Sequence, residues 1–140
     1  MTIDPDGRRE RNVGTVREYF RLQDEPDLDA WIRLWAPEGR QLMPFAPYEF
    51  PDCVEGRDEI ERLYRRLYAG YRTIAIDASV YPMVDPDTVL GQWQTRAELA
   101  AGGMYTNELV GLFRFRDDGK LIELTEYYNP IAFLKAIERA

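Results

Sequence analysis

The spacing of apolar residues follows a helical period in the first half of the chain. Apolar positions three or four residues apart predict a helix over residues 9–23, a second short helix after Asp27, and a third between Gly56 and Gly70. Asp27 is a residue type that caps helices, and glycine commonly ends them. The stripe of the first helix consists of Val13, Val16 and Phe20. The second stripe consists of Leu28, Trp31, Ile32 and Trp35, and the third of Ile60, Leu63, Tyr64, Leu67 and Tyr71.

After Gly70 the pattern changes to the alternation that is typical of strands. Four such segments are separated by the turn compositions "DPD", "AGGM" and "DDG", and they cover residues 72–84, 88–100, 105–116 and 120–129. A short final helix begins at Pro130, after the capping residue Asn129. The predicted fold is therefore α+β, a single domain over residues 1–140 with three N-terminal helices packed on a curved antiparallel sheet and a short C-terminal helix.

Residues 40–55, "RQLMPFAPYEFPDCVE", connect the second and third helices and contain three prolines, which disfavour regular structure over most of the segment. Two interpretations remain open. The segment forms a flap over the mouth of a pocket, or it is an ordered connection packed on the core or on a second subunit.

The composition of the chain limits which partners, metals and cofactors we expect it to bind. The net charge of −7, without a basic stripe, disfavours binding to nucleic acid or to anionic membranes. Histidine is absent, which removes the commonest metal ligand and the usual near-neutral proton shuttle, so we expect no metal and no cofactor. A single cysteine and an N-terminus without an apolar segment favour a cytoplasmic location.

One acidic residue occupies an unexpected place in the last predicted strand. Alternation puts Glu126 on the same face as Ile122, Leu124 and Tyr128. Burial among such neighbours raises the pKa of a carboxyl group, which could then act as a base or an acid near neutral pH. The alternative is a structural glutamate that binds a backbone amide or pairs with an arginine.

The strand "QWQTRAEL" carries a second polar set. Its alternation separates one face from another that contains Trp93, Thr95 and Ala97. The polar face consists of Gln92, Gln94, Arg96 and Glu98. It could contribute to a site, or it could be the solvated face of an antiparallel sheet.

Several motifs resemble the NTF2-like superfamily over nearly the whole chain. They are "VREYFRLQDEPDLDAWIRLWAPEG", "MPFAP" with "EGRDEIERLY", and "YTNELVGLFRFRDDGKLIELTEYYNP". The superfamily includes SnoaL-like polyketide cyclases, ketosteroid isomerases, limonene-epoxide hydrolases and phenazine-biosynthesis proteins. The resemblance implies a cone with a deep pocket between helices and sheet, and often a homodimer. Glu126 matches a carboxylate that points into the pocket of the phenazine and epoxide-hydrolase types.

The resemblance to epoxide hydrolases implies an alternative site. Arg96-x-Glu98 is similar to their Arg-x-Asp, and Glu126 is similar to their second acid, so that an arginine would lie between two carboxylates. Their water-holding tyrosine and asparagine correspond here to Arg40 and Leu42.

The other branches imply further site residues. Tyr19 matches a tyrosine on the first helix of ketosteroid isomerases, whereas Met43 stands where they have a catalytic aspartate. Phenazine-type proteins carry histidine and serine where this chain has Leu63 and Leu67, which implies a more apolar pocket.

Tyr105 and Asn107 begin the penultimate strand, where they can offer a phenol and an amide to a carbonyl or hydroxyl group. The catalytic candidates are therefore Glu126, Tyr105, Arg96, Glu98 and Tyr19. The candidates for substrate binding are Asn107, Met43, Phe45, Leu63, Leu67 and Tyr128.

The sequence and its resemblance together favour an enzyme. The expected activity is cofactor-free acid–base isomerisation, cyclisation or dehydration of a small, largely apolar, oxygenated metabolite such as a polyketide or terpenoid intermediate. One alternative is an epoxide hydrolase or epoxide-opening cyclase that uses Glu126, Arg96 and Glu98. Another is a protein that binds a small molecule without catalysis.

Overall fold

The computed structural model describes residues 3–138, which contain four helices and six strands. The helices are α1 (Pro5–Asp24), α2 (Leu28–Ile32), α3 (Arg57–Ala69) and α4 (Pro130–Glu138). Asp27 caps α2 through a hydrogen bond from Ala30 N to its Oδ1 (3.1 Å). Asn129 caps α4 by accepting hydrogen bonds from the amides of Ile131 and Ala132. No helix in this part of the chain is long and apolar enough to cross a membrane.

The six strands form one sheet in the order β2-β1-β6-β5-β4-β3. They are β1 (Trp35–Leu42), β2 (Cys53–Glu55), β3 (Tyr71–Pro82), β4 (Thr88–Leu99), β5 (Met104–Phe115) and β6 (Leu121–Tyr128). Strands β3 to β6 pair antiparallel with their neighbours in chain order, so the predicted meander is confirmed. Strand β1 joins β6 in the parallel direction, and β2 pairs antiparallel with β1.

The prediction around Trp35 was wrong. Trp35 was assigned to the second helix by its spacing, but it begins β1 and is fully buried. The segment 40–55 is irregular over most of its length, as its prolines predicted, but its two ends form the end of β1 and all of β2. Its three prolines all lie in the irregular part between Met43 and Asp52. Pairing of β1 with a strand about 80 residues away is a non-local contact that local spacing does not reveal.

Strand β6 departs from simple two-residue alternation near its start. Leu124, Glu126 and Tyr128 share the inner face, as predicted, but Leu121 rather than Ile122 is buried beyond them. The pairing of β6 with β5 shifts register between Arg114 and Phe115. Such an irregularity turns the start of the strand so that the next inward residue is three positions away instead of two.

The core lies between the helices and the inner face of the sheet. The predicted stripe of α1 is buried, and Tyr19 on the same helix is only 2% exposed. Aromatic rings fill much of this space, with Trp31 stacked obliquely on Tyr64 at a centroid distance of 4.3 Å and Tyr19 edge-on to Phe113 at 5.0 Å. The space around these rings, between the helices and the sheet, is therefore closely packed.

Two glycines in register, Gly91 of β4 and Gly111 of β5, allow rings to lie against the sheet. A Cβ atom on Gly111 would lie 2.9 Å from Cη2 of Trp93 and 3.0 Å from Cδ1 of Leu124. These distances are shorter than ordinary contacts, and both neighbours are packed in the core. The absence of side chains at this pair lets Trp93 approach the strand.

We expect Gly111→Ala to lower the free energy of unfolding by about 1–3 kcal/mol, because the added methyl group overpacks the core. Denaturant unfolding at neutral pH measures this change. Gly14→Ala is the matched control, since nothing in residues 3–138, apart from the backbone of α1 itself, lies within 4 Å of a Cβ atom there. Its position within α1 should make it neutral or stabilising by up to about 1 kcal/mol. Equal stability of the Gly111 variant and the wild type would contradict the packing argument.

Candidate active site

A cavity of about 670 Å³ opens between α3, the inner face of the sheet, the segment 43–52 and α4. Its walls are largely apolar and aromatic. Side chains from α3 and the sheet include Leu63, Leu67, Trp93 and Leu109, and those from the segment and α4 include Met43, Phe50, Phe133 and Ile137. A second, more open depression of about 590 Å³ borders Tyr68 and Tyr71 from outside but does not reach Glu126.

Glu126 lines this cavity from β6, directly across from Gly111 of β5. The residue is half-buried and forms part of the cavity wall. Within residues 3–138, no arginine or lysine lies within ion-pair distance of its carboxyl group. Loss of water raises the pKa of Glu126 from the ordinary 4.5 to about 7, and the amide of Gln41 opposes part of this rise. The carboxyl group can therefore change protonation state near neutral pH.

Five tyrosines share the cavity with this carboxyl group: Tyr64, Tyr68, Tyr71, Tyr105 and Tyr128. Burial raises the pKa of each phenol, that of Tyr71 to about 12, and the charge of Glu126 adds to the effect. Near neutral pH the phenols are therefore uncharged, and they can donate hydrogen bonds to a ligand.

Tyr105 has a hydrogen-bond partner that leaves its own proton free. Nδ2 of Asn107 donates to the Tyr105 hydroxyl (2.7 Å) and to the carbonyl of Asn129 (3.0 Å), and Oδ1 of Asn107 accepts from the amide of Asn129 (2.9 Å). Asn107 is 4% exposed and lies behind the cavity wall. It was predicted to bind substrate, but the structure shows it holding Tyr105 and the start of α4.

Tyr19 is also behind the wall rather than on it. Its hydroxyl lies 3.3 Å from that of Tyr64, which does line the cavity. Tyr64 and Gln41 were not among the predicted site residues. Tyr64 fits the apolar stripe of α3, and Gln41 falls in the segment predicted to be irregular, so neither stood out. A phenol between Ile60, Leu63 and Leu67 was the available signal for Tyr64.

The predicted set on β4 faces the opposite side of the sheet. Arg96 is exposed, and Glu98 pairs with Arg72 at 3.0 Å, whereas Trp93 and Thr95 face the cavity. The alternation of β4 puts the two sets on opposite faces. Arg96 and Glu98 therefore lie away from Glu126, and these three residues do not form the arrangement of an arginine between two carboxylates.

Of the remaining residues predicted to bind substrate, some line the cavity and one lies outside it. Met43, Leu63, Leu67 and Tyr128 line the cavity. Phe45 is 60% exposed and packs on Tyr127 outside it. Phe50 takes the inner position from the same segment, and its ring contacts Phe133 of α4 at 4.9 Å. The segment 43–52 and α4 thus meet across the cavity.

Comparison with known proteins relates the chain to one family. Residues 16–124 match the SnoaL-like domain. An uncharacterised PhzA/B-like protein of Pseudomonas aeruginosa is 29% identical over 120 residues, which are 84% of each chain. A phenazine biosynthesis-related protein of the same species superposes with a TM-score of 0.83 at 18% identity, over 96% of this chain and 90% of that one.

A pinacolase of Penicillium brevicompactum, BvnE, superposes with a TM-score of 0.77 at 20% identity, over 94% of both chains. The same layers of helices and curved sheet recur in these solved structures, which supports the NTF2-like fold expected from the motifs. Because the SnoaL-like match covers most of the chain, this protein belongs to the SnoaL-like domain family.

Proposed function

We propose that the protein is a cofactor-free general acid–base enzyme that isomerises, cyclises or dehydrates a small, largely apolar, oxygenated metabolite, such as a polyketide or terpenoid intermediate, in the cytoplasm. The observation that supports this proposal most directly is Glu126, a carboxyl group in an apolar cavity that has no cationic partner among the described residues and a pKa of about 7. A group with that pKa can accept and return a proton at neutral pH, which is what such reactions require.

The proposed step begins with the Glu126 carboxylate taking a proton from a carbon beside a carbonyl group. Electrons of the broken C–H bond move onto the carbonyl oxygen, and Tyr105 donates a hydrogen bond to that oxygen. Glu126, now protonated, returns the proton to another position of the substrate, or gives it to a departing hydroxyl group. Each proton is therefore conserved between Glu126 and the substrate.

The cavity walls favour this chemistry. Phe50 and Phe133 meet across the cavity, and Leu63 and Leu67 keep the region around the carboxyl group apolar. Electrostatic interactions and hydrogen bonds are stronger where water is excluded. The neutral phenols can then stabilise negative charge that develops on a substrate oxygen more effectively than water would.

The solved structures with the same fold support the proposed activity by analogy. One is named a pinacolase and another is related to phenazine biosynthesis, so the fold serves enzymes of small-molecule metabolism. Opening of an epoxide with Arg96 and Glu98 lacks support, because both side chains lie on the outer face of the sheet. A binder without catalysis remains the competing function, and the first experiment below distinguishes it.

Kemp elimination provides a test that does not require the natural substrate. In 5-nitrobenzisoxazole a base removes the C3 proton as the N–O bond breaks, and the coloured cyanophenolate is measured by absorbance. We expect the wild type to accelerate this reaction with a pH midpoint near 7, because Glu126 must be ionised. Glu126→Gln should lower the rate by roughly 100-fold or more.

The control for this experiment is Glu108→Gln, which removes an exposed carboxyl group bonded to Gln94 on the outer face. It should leave the rate unchanged. Equal rates for Glu126→Gln and the wild type would refute the proposal. Binding of the probe without elimination by the wild type would favour the non-catalytic function.

The raised pKa of Glu126 also predicts how stability depends on pH. The folded protein holds this proton up to about pH 7, whereas the unfolded chain releases it near 4.5. Stability from this group is therefore fully present below pH 4.5 and falls as pH rises through 7, by on the order of 3 kcal/mol. We expect Glu126→Gln to lack this loss. Denaturant unfolding of both proteins at pH 5 and pH 8 measures the difference, and parallel pH dependences would contradict it.

We further propose that the protein is a homodimer that associates through the outer face of the sheet. Val110 is 39% exposed there, beside Tyr127 and the ring of Phe45. Light scattering after size-exclusion chromatography should give twice the chain mass for the wild type. Val110→Lys should give the monomer mass, because a charge would be buried at the interface. Val84→Lys, at an exposed turn position, is the control, and a monomeric wild type would overturn the proposal.

A further inference from the structure

Gln41 is a buried polar side chain directly behind the cavity. It lies on β1, is 1% exposed, and its Cα pairs with that of Leu124 in the parallel β1–β6 ladder. Directly paired residues direct their side chains to the same face of a sheet. Leu124 and Glu126 are two residues apart on one strand, so Gln41 and Glu126 point to the same inner face as diagonal neighbours.

The amide of Gln41 lies near two ionisable groups. Its proximity opposes part of the rise in pKa of Glu126 and of Tyr64. Its Oε1 is buried and has no hydrogen-bond partner among the described residues. Buried polar atoms are nearly always paired, so an unpaired acceptor beside a carboxyl group that titrates calls for an explanation.

We propose that Gln41 is the positioning residue of Glu126, with its Nε2–H donating to the carboxylate and its Oε1 accepting from the carboxylic acid. This inference rests on the proposed function, in which Glu126 alternates between the two forms. An amide carries a donor and an acceptor on one rigid group, and a small rotation exchanges them. Gln41 can thus hold the carboxyl group in place in both halves of the cycle.

The other titratable groups near Glu126, among residues 3–138, are phenols, and none of them lowers its pKa. They belong to Tyr19 of α1, Tyr64 and Tyr68 of α3, Tyr71 of β3, Tyr105 of β5 and Tyr128 of β6. All are neutral near pH 7. The Tyr105 hydroxyl already accepts from Asn107, and that of Tyr68 bonds to Gln23. Gln41 is the group that stabilises the carboxylate against the effect of burial.

Gln41→Met tests the donor half of the inference, because methionine is similar in length but offers no N–H group. We expect the pH midpoint of Kemp elimination to rise by about one pH unit, as loss of a hydrogen bond to a charged group would cause. A carbon-13 NMR titration of the Glu126 carboxyl should shift equally. Gln94→Met is the control, since it removes a glutamine bonded to Glu108 on the outer face, and it should leave the midpoint unchanged.

A second measurement uses the wild type, in case Gln41→Met does not fold. The side-chain amide resonances of Gln41 should titrate with the same midpoint as Glu126, because the amide changes partner with the proton. That titration should vanish in Glu126→Gln. An unshifted midpoint in folded Gln41→Met, or Gln41 resonances that do not titrate, would overturn the inference. The NMR midpoint tests this inference and the elimination rate tests catalysis, so the two failures are distinguishable.

Discussion

The candidate site depends on one constraint: the carboxyl group of Glu126 is largely removed from water, and no arginine or lysine among residues 3–138 balances its charge. Ionising Glu126 in this place is unfavourable, and the rise of its pKa to about 7 is the direct consequence. The fold tolerates this because the charge appears only above that pH and because the nearby amide of Gln41 opposes part of the rise in pKa. An arginine beside Glu126 would stabilise the carboxylate and lower its pKa. The group could then no longer exchange a proton at neutral pH.

Most of the space between the helices and the sheet is filled, and one part of it is left open as the cavity. Trp31, Trp35 and Phe113 are completely buried in the filled part, and they supply much of the apolar burial that stabilises the fold. The core and the candidate site share a boundary, because Tyr64 and Trp93 belong to the core and also line the cavity. The packing that stabilises the fold therefore also fixes the wall around Glu126.

The elements that depend on local periodicity were predicted correctly from the sequence. The elements that depend on contacts between distant segments were not. The meander and the inner position of Glu126 follow from two-residue alternation, and the capped helices follow from Asp27 and Asn129. Strand β1 was not predicted, because its pairing with β6 joins segments far apart in the chain, and Gln41 was overlooked with it. The alternation on β4 correctly separated its polar residues from its other face. The resemblance to epoxide hydrolases then indicated that the polar face lines the site, whereas it is Trp93 and Thr95 of the other face that line the cavity.

The charge distribution also bears on which substrates the cavity can accept. Among the described residues that line it, the one cationic side chain is Arg66, which is exposed to solvent, whereas Glu126 lies within the apolar region. An anionic group next to Glu126 would be repelled by the carboxylate and would lose its water without compensation. A neutral molecule with a carbonyl or hydroxyl oxygen avoids both penalties, since the phenols of Tyr64 and Tyr105 can donate to it. The reacting part of the substrate is therefore expected to be neutral, and any charge on it should develop only in the transition state.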